Sequence, residues 1–379
     1  MKKIMISAGE ASGDIRGAEL ALSLKKLCPA IELKGIGGRR MESSGVRLLF
    51  DISGLAAVGF SEVLKNFWKI RNVFYGFSRK MDEEKPDVLI LIDYPGFNMR
   101  LASRAKKRNI KVVYYISPQV WAWGKNRVYR IASSVDRMLV IFPFEKDFYQ
   151  KFGVCADYVG HPITDSLGDV PEKTGGGDSF PGKKPLICLL PGSRRQEVAR
   201  HLPVMLSAAS LIKKNIPGAE FIIGRAGTIS ADFIRAAAGK ASFAAEIMEN
   251  GECEAVAMSD FVIASSGTAT VEAAYFRKPM VVIYMLSALT WILARILVKV
   301  ENVAMVNVMA GKRLVPEFVQ AAANPRAVSE AAVSILNSSG IYGKMVNELG
   351  EVKKHLGSPG AAERAARIVL QTAGVEIHE

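Results

Sequence analysis

The residues best suited to do chemistry stand in the stretch Phe261-Val262-Ile263-Ala264-Ser265-Ser266-Gly267-Thr268-Ala269-Thr270-Val271-Glu272. Its apolar start reads as a buried strand, Ser266 to Ala269 as a small, hydroxyl-rich turn, and the remainder as a helix. That order aims backbone N–H groups, hydroxyls and the positive end of a helix dipole at one place, which suits phosphate oxygens. Glu272 falls one turn inside the helix on the side of Thr268, where a carboxylate can accept hydrogen bonds from a ribose. The same residues also read as a capped turn, with Glu272 merely complementing the dipole. A second such turn, Pro191-Gly192-Ser193-Arg194-Arg195-Gln196, follows the apolar run Leu186–Leu190. Ser193 and Gln196 fit a capping box. Arginines in a first helical turn oppose the dipole, however, and make better sense if an anion binds there.

Carboxylates come from the other half of the chain. Asp93 closes the continuous apolar run Val88–Ile92, and Pro95 and Gly96 turn the chain directly after it. In open α/β sheets chemistry collects at the carboxyl ends of strands, so Asp93 is a candidate site residue. Asn98 is a competing cap for the helix that follows. Glu10 and Asp14 stand in the glycine-rich loop Ala8-Gly9-Glu10-Ala11-Ser12-Gly13-Asp14, and His161 precedes Pro162 at another strand end.

Strand-and-helix alternation runs through both halves, with apolar runs at 3–6, 112–116, 138–141 and 221–223 besides those above. Gly175-Gly176-Gly177, Pro181 and Gly182 mark 168–184 as a linker. The expected architecture is α/β, with two Rossmann-like domains facing a cleft. Residues 1–167 form the acceptor side and 185–351 the nucleotide side, and a helix from 352–379 packs back on the first domain.

The 379 residues are 49% hydrophobic and 23% charged, with a net charge of +13, which calls for an anionic partner. No zinc-finger spacing or aromatic RNA-binding pattern accompanies it, so nucleic acid is the weakest choice. Gly35-Ile36-Gly37-Gly38 lacks the third glycine of a dinucleotide fingerprint, which disfavours a nicotinamide or flavin cofactor. Four scattered cysteines make neither a metal cluster nor a disulfide scaffold and fit a reducing cytoplasm. Val63 to Phe77 interleaves aromatics with lysine and arginine, as a core-facing helix or a helix on anionic lipid would. Met280 to Leu293 is too short to span a bilayer and is followed by Arg295 and Lys299.

Taken in order, the motifs resemble those of the lipid-A-disaccharide synthase family, inverting glycosyltransferases of the GT-B class. They are 8–14, 35–38, 93–98, Ser117 to Trp123, Phe142 to Lys146, 159–162, 190–194, 266–273 and Val315 to Gln320, covering almost the whole chain. The resemblance implies transfer from UDP-2,3-diacylglucosamine to 2,3-diacylglucosamine 1-phosphate, giving a β-1,6 disaccharide and UDP. It implies a cytoplasmic protein peripheral to the inner membrane, with no cofactor and with domain-swapped dimers known among its structures. Asp93 is then the general base, with Glu10, Asp14 and His161 as alternatives. Gly192, Ser193, Arg194, Ser266, Gly267, Thr268, Ala269, Glu272, Asn307, Glu317 and Gln320 bind the donor. Gly9, Ser12, Gly13 and Asn98 lie on the acceptor side.

The chemistry agrees with this: a sugar hydroxyl needs a base, and departing UDP needs positive charge, which arginine and helix N-termini supply. No Asp-x-Asp motif appears, so a metal-independent reaction is expected. Two positions depart from the family: Val306 stands where a proline is usual before Asn307, and Gly96 where a second aspartate is. Rival readings are a UDP-GlcNAc transferase, a UDP-GlcNAc 2-epimerase, or a non-catalytic lipid- or nucleotide-binding protein.

Overall fold

The computed structural model describes residues 1–51, 67–121, 127–168, 170, 184–239, 243, 245–249, 251–287, 291 and 302–376. Two compact units divide the chain: Met1–Asp165 with Gly357–Glu379, and Ser166–Leu356.

The first unit holds β1 (Lys3–Ala8), β2 (Glu32–Gly37), β3 (Arg47–Asp51), β4 (Val88–Ile92), β5 (Lys111–Tyr115), β6 (Arg137–Val140) and β7 (Ala156–Tyr158). They form one parallel sheet in the order β3-β2-β1-β4-β5-β6-β7. The second unit holds β8 (Leu186–Leu190), β9 (Glu220–Gly224), β10 (Glu246–Met248), β11 (Phe261–Ser265), β12 (Met280–Tyr284) and β13 (Glu317–Val319). Their order is β10-β9-β8-β11-β12-β13, again all parallel. Every residue of β4 and of β11 is buried, because helices cover both faces of a parallel sheet.

Both sheets reverse their strand order beside the first strand, at β1/β4 and at β8/β11. Chains leaving such a pair part in opposite directions and open a crevice at the carboxyl ends. The expected loop 8–14 shortens to Gly9 and Glu10, because β1 runs to Ala8 and a helix begins at Ala11, and the topology sets this turn beside Asp93 and Tyr94. In the second unit it sets Pro191–Arg194 beside Ser266–Ala269.

Gly35-Ile36-Gly37 belongs to β2 and forms no ligand loop. The helix that follows, Arg39–Ser43, has its N–H groups taken by the Asp14 carboxylate: Gly38 at 2.7 Å, Met41 at 3.1 Å and Arg40 at 3.2 Å. Asp14, expected as an alternative base, is thus engaged as a cap.

The segment that rejoins the first unit begins at Gly357; Val352 lies in helix Ser339–Lys354 of the second unit. Helix Ala361–Thr372 buries Ala361, Ala362, Ala365, Ala366, Val369 and Leu370 and packs on helix Ala11–Leu27. Mostly alanine on that face, it can approach its neighbour closely, and the two larger side chains contribute about 1.5–3 kcal/mol each. Asp165 holds its start, accepting from the N–H groups of Gly360 at 2.5 Å, Ala362 at 3.1 Å and Ala361 at 3.2 Å. Most of the expected linker, residues 63–66 of the basic-aromatic stretch, and residues 288–290, 292 and 293 of the apolar segment lie outside the described residues. Among the described residues no helix is long and apolar enough to cross a membrane.

Removing the Asp165 cap in Asp165→Ala should destabilise the returning helix by about 1–2 kcal/mol. Hydrogen exchange would read this as roughly five- to thirtyfold faster exchange of the 361–372 amides, with second-unit amides unchanged. Unaltered exchange there would show that the carboxylate does not hold the helix.

Candidate active site

In the first unit β4 ends in two successive left-handed non-glycine residues, Asp93 (φ 45°) and Tyr94 (φ 48°). Such a conformation costs an L-residue about 1–2 kcal/mol, so neighbours must hold it. Asn98, fully buried in helix Pro95–Lys106, donates through Nδ2 to the carbonyls of Asp93 (2.7 Å) and Ile92 (3.0 Å). Its Oδ1 accepts from Ser7 Oγ at 2.7 Å. From β5, the Tyr114 hydroxyl donates to the same Asp93 carbonyl at 2.7 Å. The Asp93 side chain is left half-buried at the β1/β4 switch point.

The Tyr94 ring lies over Gly9, where a Cβ would come within 2.1 Å of Tyr94 Cδ1, so only glycine fits. Burial, and then the charge of Glu10, push the Tyr94 hydroxyl above its ordinary range. Glu10, Tyr94 and Asp93 thus share one edge of the sheet. Ser12 is exposed beside them, and Gly13 is buried against Ala8. Gly96 is exposed with open space at its missing side chain, so the family's usual aspartate would meet no obstruction there.

His161 is placed differently. Its Nδ1 accepts from the Ile163 N–H at 3.1 Å, and its ring lies against Phe142. Burial, helped by Arg16, pulls it down to about 3. A ring so reluctant to take a proton is unsuited to be a base. Further along, Glu145 is buried and accepts from Ser117 Oγ (2.6 Å), Trp121 Nε1 (3.1 Å) and the Phe142 N–H (3.2 Å). Burial raises its pKa. It anchors the Ser117–Trp121 loop.

In the second unit Gly192 has φ 117°, and a Cβ there would come 2.7 Å from Glu197 Oε2 and 3.3 Å from Ser265 Oγ. The turns after β8 and β11 therefore touch. Helix Arg195–Asn215 starts with Arg194 as its N-cap and no side-chain cap, so the expected Ser193–Gln196 box does not form. Ser193 and Arg194 are exposed, and Arg194 reaches Glu197 at 3.3 Å. Arg195 instead lies over the Phe233 ring at 4.5 Å. Helix Thr268–Tyr275 starts from Gly267, also without a side-chain cap. Gly267 and Thr268 are exposed, Ala269 is half-buried, and Ser266 Oγ donates to the Val303 carbonyl at 2.9 Å. Two helices thus begin at neighbouring strand ends without a side-chain cap, an arrangement that suits an anion.

Glu272 stands one turn further in. Burial and then the charge of Glu272 push the pKa of Glu252 up to about 8. Behind the turns, buried His201 accepts at Nε2 from the Met285 N–H (3.0 Å). Its Nδ1 therefore carries the hydrogen and donates to the Pro191 carbonyl, also at 3.0 Å.

Asn307 was expected to touch the donor, yet its amide is fully occupied. Nδ2 donates to the Val315 carbonyl (2.9 Å) and Glu317 Oε1 (2.7 Å), and Oδ1 accepts from the N–H groups of Leu314 (2.8 Å) and Val315 (2.9 Å). Nothing remains for a ligand. Val306 sits in the first turn of helix Met305–Ala310, where a missing N–H would make no difference, so the absent proline leaves the helix intact. Glu317 holds the N–H groups of Val303 (2.8 Å) and Ala304 (2.9 Å), and Gln320 Oε1 accepts from Leu286 at 3.2 Å. Asn98 is likewise spent on the Asp93 turn. Among the described residues no group of three or more His, Cys, Asp or Glu is arranged to hold a metal ion.

The sequence model of the family described as Lipid-A-disaccharide synthetase matches residues 4–368. The chain belongs to the lipid-A-disaccharide synthetase family. A lipid-A-disaccharide synthase of Syntrophus aciditrophicus is 41% identical over 372 residues, covering 97% of each chain. Lipid-A-disaccharide synthase 1 of Legionella pneumophila subsp. pneumophila is 38% identical over 362 residues, covering 95% of this chain and 94% of that one. Among solved structures, S. aureus MnaA with UDP superposes with a TM-score of 0.68 at 15% identity, covering 100% of this chain and 99% of that one. Acinetobacter baumannii MurG gives 0.61 at 14%, covering 98% and 100%. The fold is therefore of the GT-B type, and the family is one of glycosyltransferases in lipid A biosynthesis.

Sequence reasoning missed Tyr94, Tyr114, His201, Glu145 and Glu252. Tyr94, directly after Asp93, and Glu145, inside the 142–146 motif, each carried a signal.

His161 has a pH consequence for this family member. The folded ring stays neutral down to about 3, whereas the unfolded chain takes up a proton near 6.5, so stability is lost as pH falls through 6.5. In urea unfolding between pH 7 and 5, His161→Asn should remove a decline of up to about 1.4 kcal/mol per pH unit below 6.5. Parallel pH profiles for the two proteins would refute the buried neutral ring.

Proposed function

We propose that the protein joins UDP-2,3-diacylglucosamine to 2,3-diacylglucosamine 1-phosphate, with inversion at the donor's anomeric carbon. The observation that carries this reading is the pair of uncapped helix N-termini at the β8/β11 switch point, in a chain of the lipid-A-disaccharide synthetase family. The diphosphate of UDP sits at Gly192–Arg194 and Ser266–Ala269, and Glu272 accepts from the ribose. In the first unit Asp93 takes the proton of the acceptor's 6-hydroxyl as that oxygen bonds to the anomeric carbon. The bond from that carbon to the diphosphate oxygen breaks on the opposite face, and UDP carries away the electron pair. Charge growing on UDP is met by Arg194 and the helix N-termini, whose dipoles are fixed before the reaction begins. Glu10, on the same edge as Asp93, is the alternative base. Asn307, Glu317 and Gln320 serve the donor side by holding its loops.

UDP release should require both lipid substrates, and the donor alone should not be isomerised, as it would be by an epimerase. Asp93→Asn should cut turnover by about 10²–10⁴ while UDP affinity in titration calorimetry stays near wild type. Glu272→Ala should weaken UDP by about 1.5–3 kcal/mol. A folded Asp93→Asn enzyme within tenfold of wild type moves the base to Glu10. Unchanged UDP binding in both Glu272→Ala and Arg194→Ala removes the donor placement.

The protein also acts at the cytoplasmic face of the inner membrane as a peripheral protein, where its acylated substrates reside. The support is a surface on helix Phe67–Glu84: Trp68 is 67% and Tyr75 50% exposed, with the Arg71 guanidinium 5.1 Å from one ring and 5.6 Å from the other. Arg104 lies over Phe74 and Tyr75 at 4.8 and 4.9 Å. Aromatic rings with cations between them suit the headgroup layer. Binding to anionic vesicles should fall as salt rises, and further in Trp68→Ala. Binding that only detergent reverses would mean deep insertion, and none at any salt would remove the idea.

A further inference from the structure

We propose that Tyr114 is a positioning residue for the transfer reaction, holding the Asp93 carboxylate at the acceptor hydroxyl through the Asp93 backbone. The inference rests on the reading of Asp93 as the base.

Tyr114 is wholly buried, so it touches no substrate and any effect on chemistry must pass through a neighbour. Its hydroxyl donates to the Asp93 carbonyl at 2.7 Å, and Asn98 Nδ2 supplies a second bond of 2.7 Å to the same oxygen. Both lone pairs of that carbonyl are engaged, and the peptide they fix joins the two left-handed residues Asp93 and Tyr94. Without those bonds nothing offsets the cost of the two left-handed residues, and the backbone shift that relieves it displaces the Asp93 Cα and the carboxylate it carries.

Phenylalanine would fill the space at 114 equally well, so the hydroxyl is there for its bond. Its neighbour gives the contrast. Tyr115 faces the other side of the sheet, as alternation along a strand requires, and its buried hydroxyl has no hydrogen-bond partner among the described residues. Burial, and next the charge of Asp93, push the Tyr114 hydroxyl well above its ordinary range, so it remains a donor at any working pH.

The test is a double-mutant cycle read by steady-state kinetics with both lipid substrates. Tyr114→Phe should lower kcat about ten- to hundredfold, the scale of a small misplacement of a reacting group. KM for each substrate and the Kd of UDP should stay within about twofold, because no ground-state contact is lost. In the Asp93→Asn background the same change should cost nothing further. Ser7→Ala, which loosens Asn98 from its far side, should show the same kcat-only signature and decides the matter if Tyr114→Phe does not fold. Losses that add in the double variant, or a KM change at constant kcat, would overturn the inference and leave the base in place. Near-normal turnover in Asp93→Asn alone would remove the base, and this inference with it.

Discussion

Parallel pairing is the constraint on which the rest depends. A strand in a parallel sheet cannot be followed by a hairpin, so the chain must cross back over a face each time. All carboxyl ends therefore lie along one edge, and both faces need apolar cover. Reversal of strand order beside β1 and β8 then opens one gap per sheet. Every residue with a chemical role in the reading above stands at such a gap or braces one that does.

The two gaps differ in the side chains that stand at them. In both units the helices after the switch-point strands begin without a side-chain cap. At the first gap Glu10 is the N-cap residue after β1 and Asp93 directly follows β4, so carboxylates stand there. At the second, Ser193, Arg194, Gly267 and Thr268 are exposed. In the proposed reaction the first edge removes a proton and the second holds an anion. Arginine at the second is engaged locally: Arg194 reaches Glu197, and Arg195 lies over Phe233.

What was legible in the sequence follows from the same physics. Continuous apolar runs such as 88–92 and 261–264 announce strands buried on both faces, and Pro-Gly-Ser-Arg and Ser-Gly-Thr announce their turns. β2 was not legible, because Glu32 and Lys34 interrupt its pattern. The Lys34 ammonium is accommodated by Glu32 at 2.8 Å and by Glu84 at 2.5 Å, a partner fifty residues away. The amides misled for a related reason. Asn98 and Asn307 have the side chains a ligand would want, and only their completed hydrogen bonds reveal that they brace backbone. His201 gives no sign in sequence that it will bridge Pro191 and Met285.

The Asp165 contact has a consequence for how the molecule is made. The second unit is inserted within the first, and the helix that Asp165 caps is the last element of the first unit. A ribosome delivers all of Ser166–Leu356 before that helix exists. Throughout that interval the surface of helix Ala11–Leu27 that it will cover stays bare, and Asp165 waits without its three amides. The nascent first unit is therefore completed after the second, although its synthesis begins first.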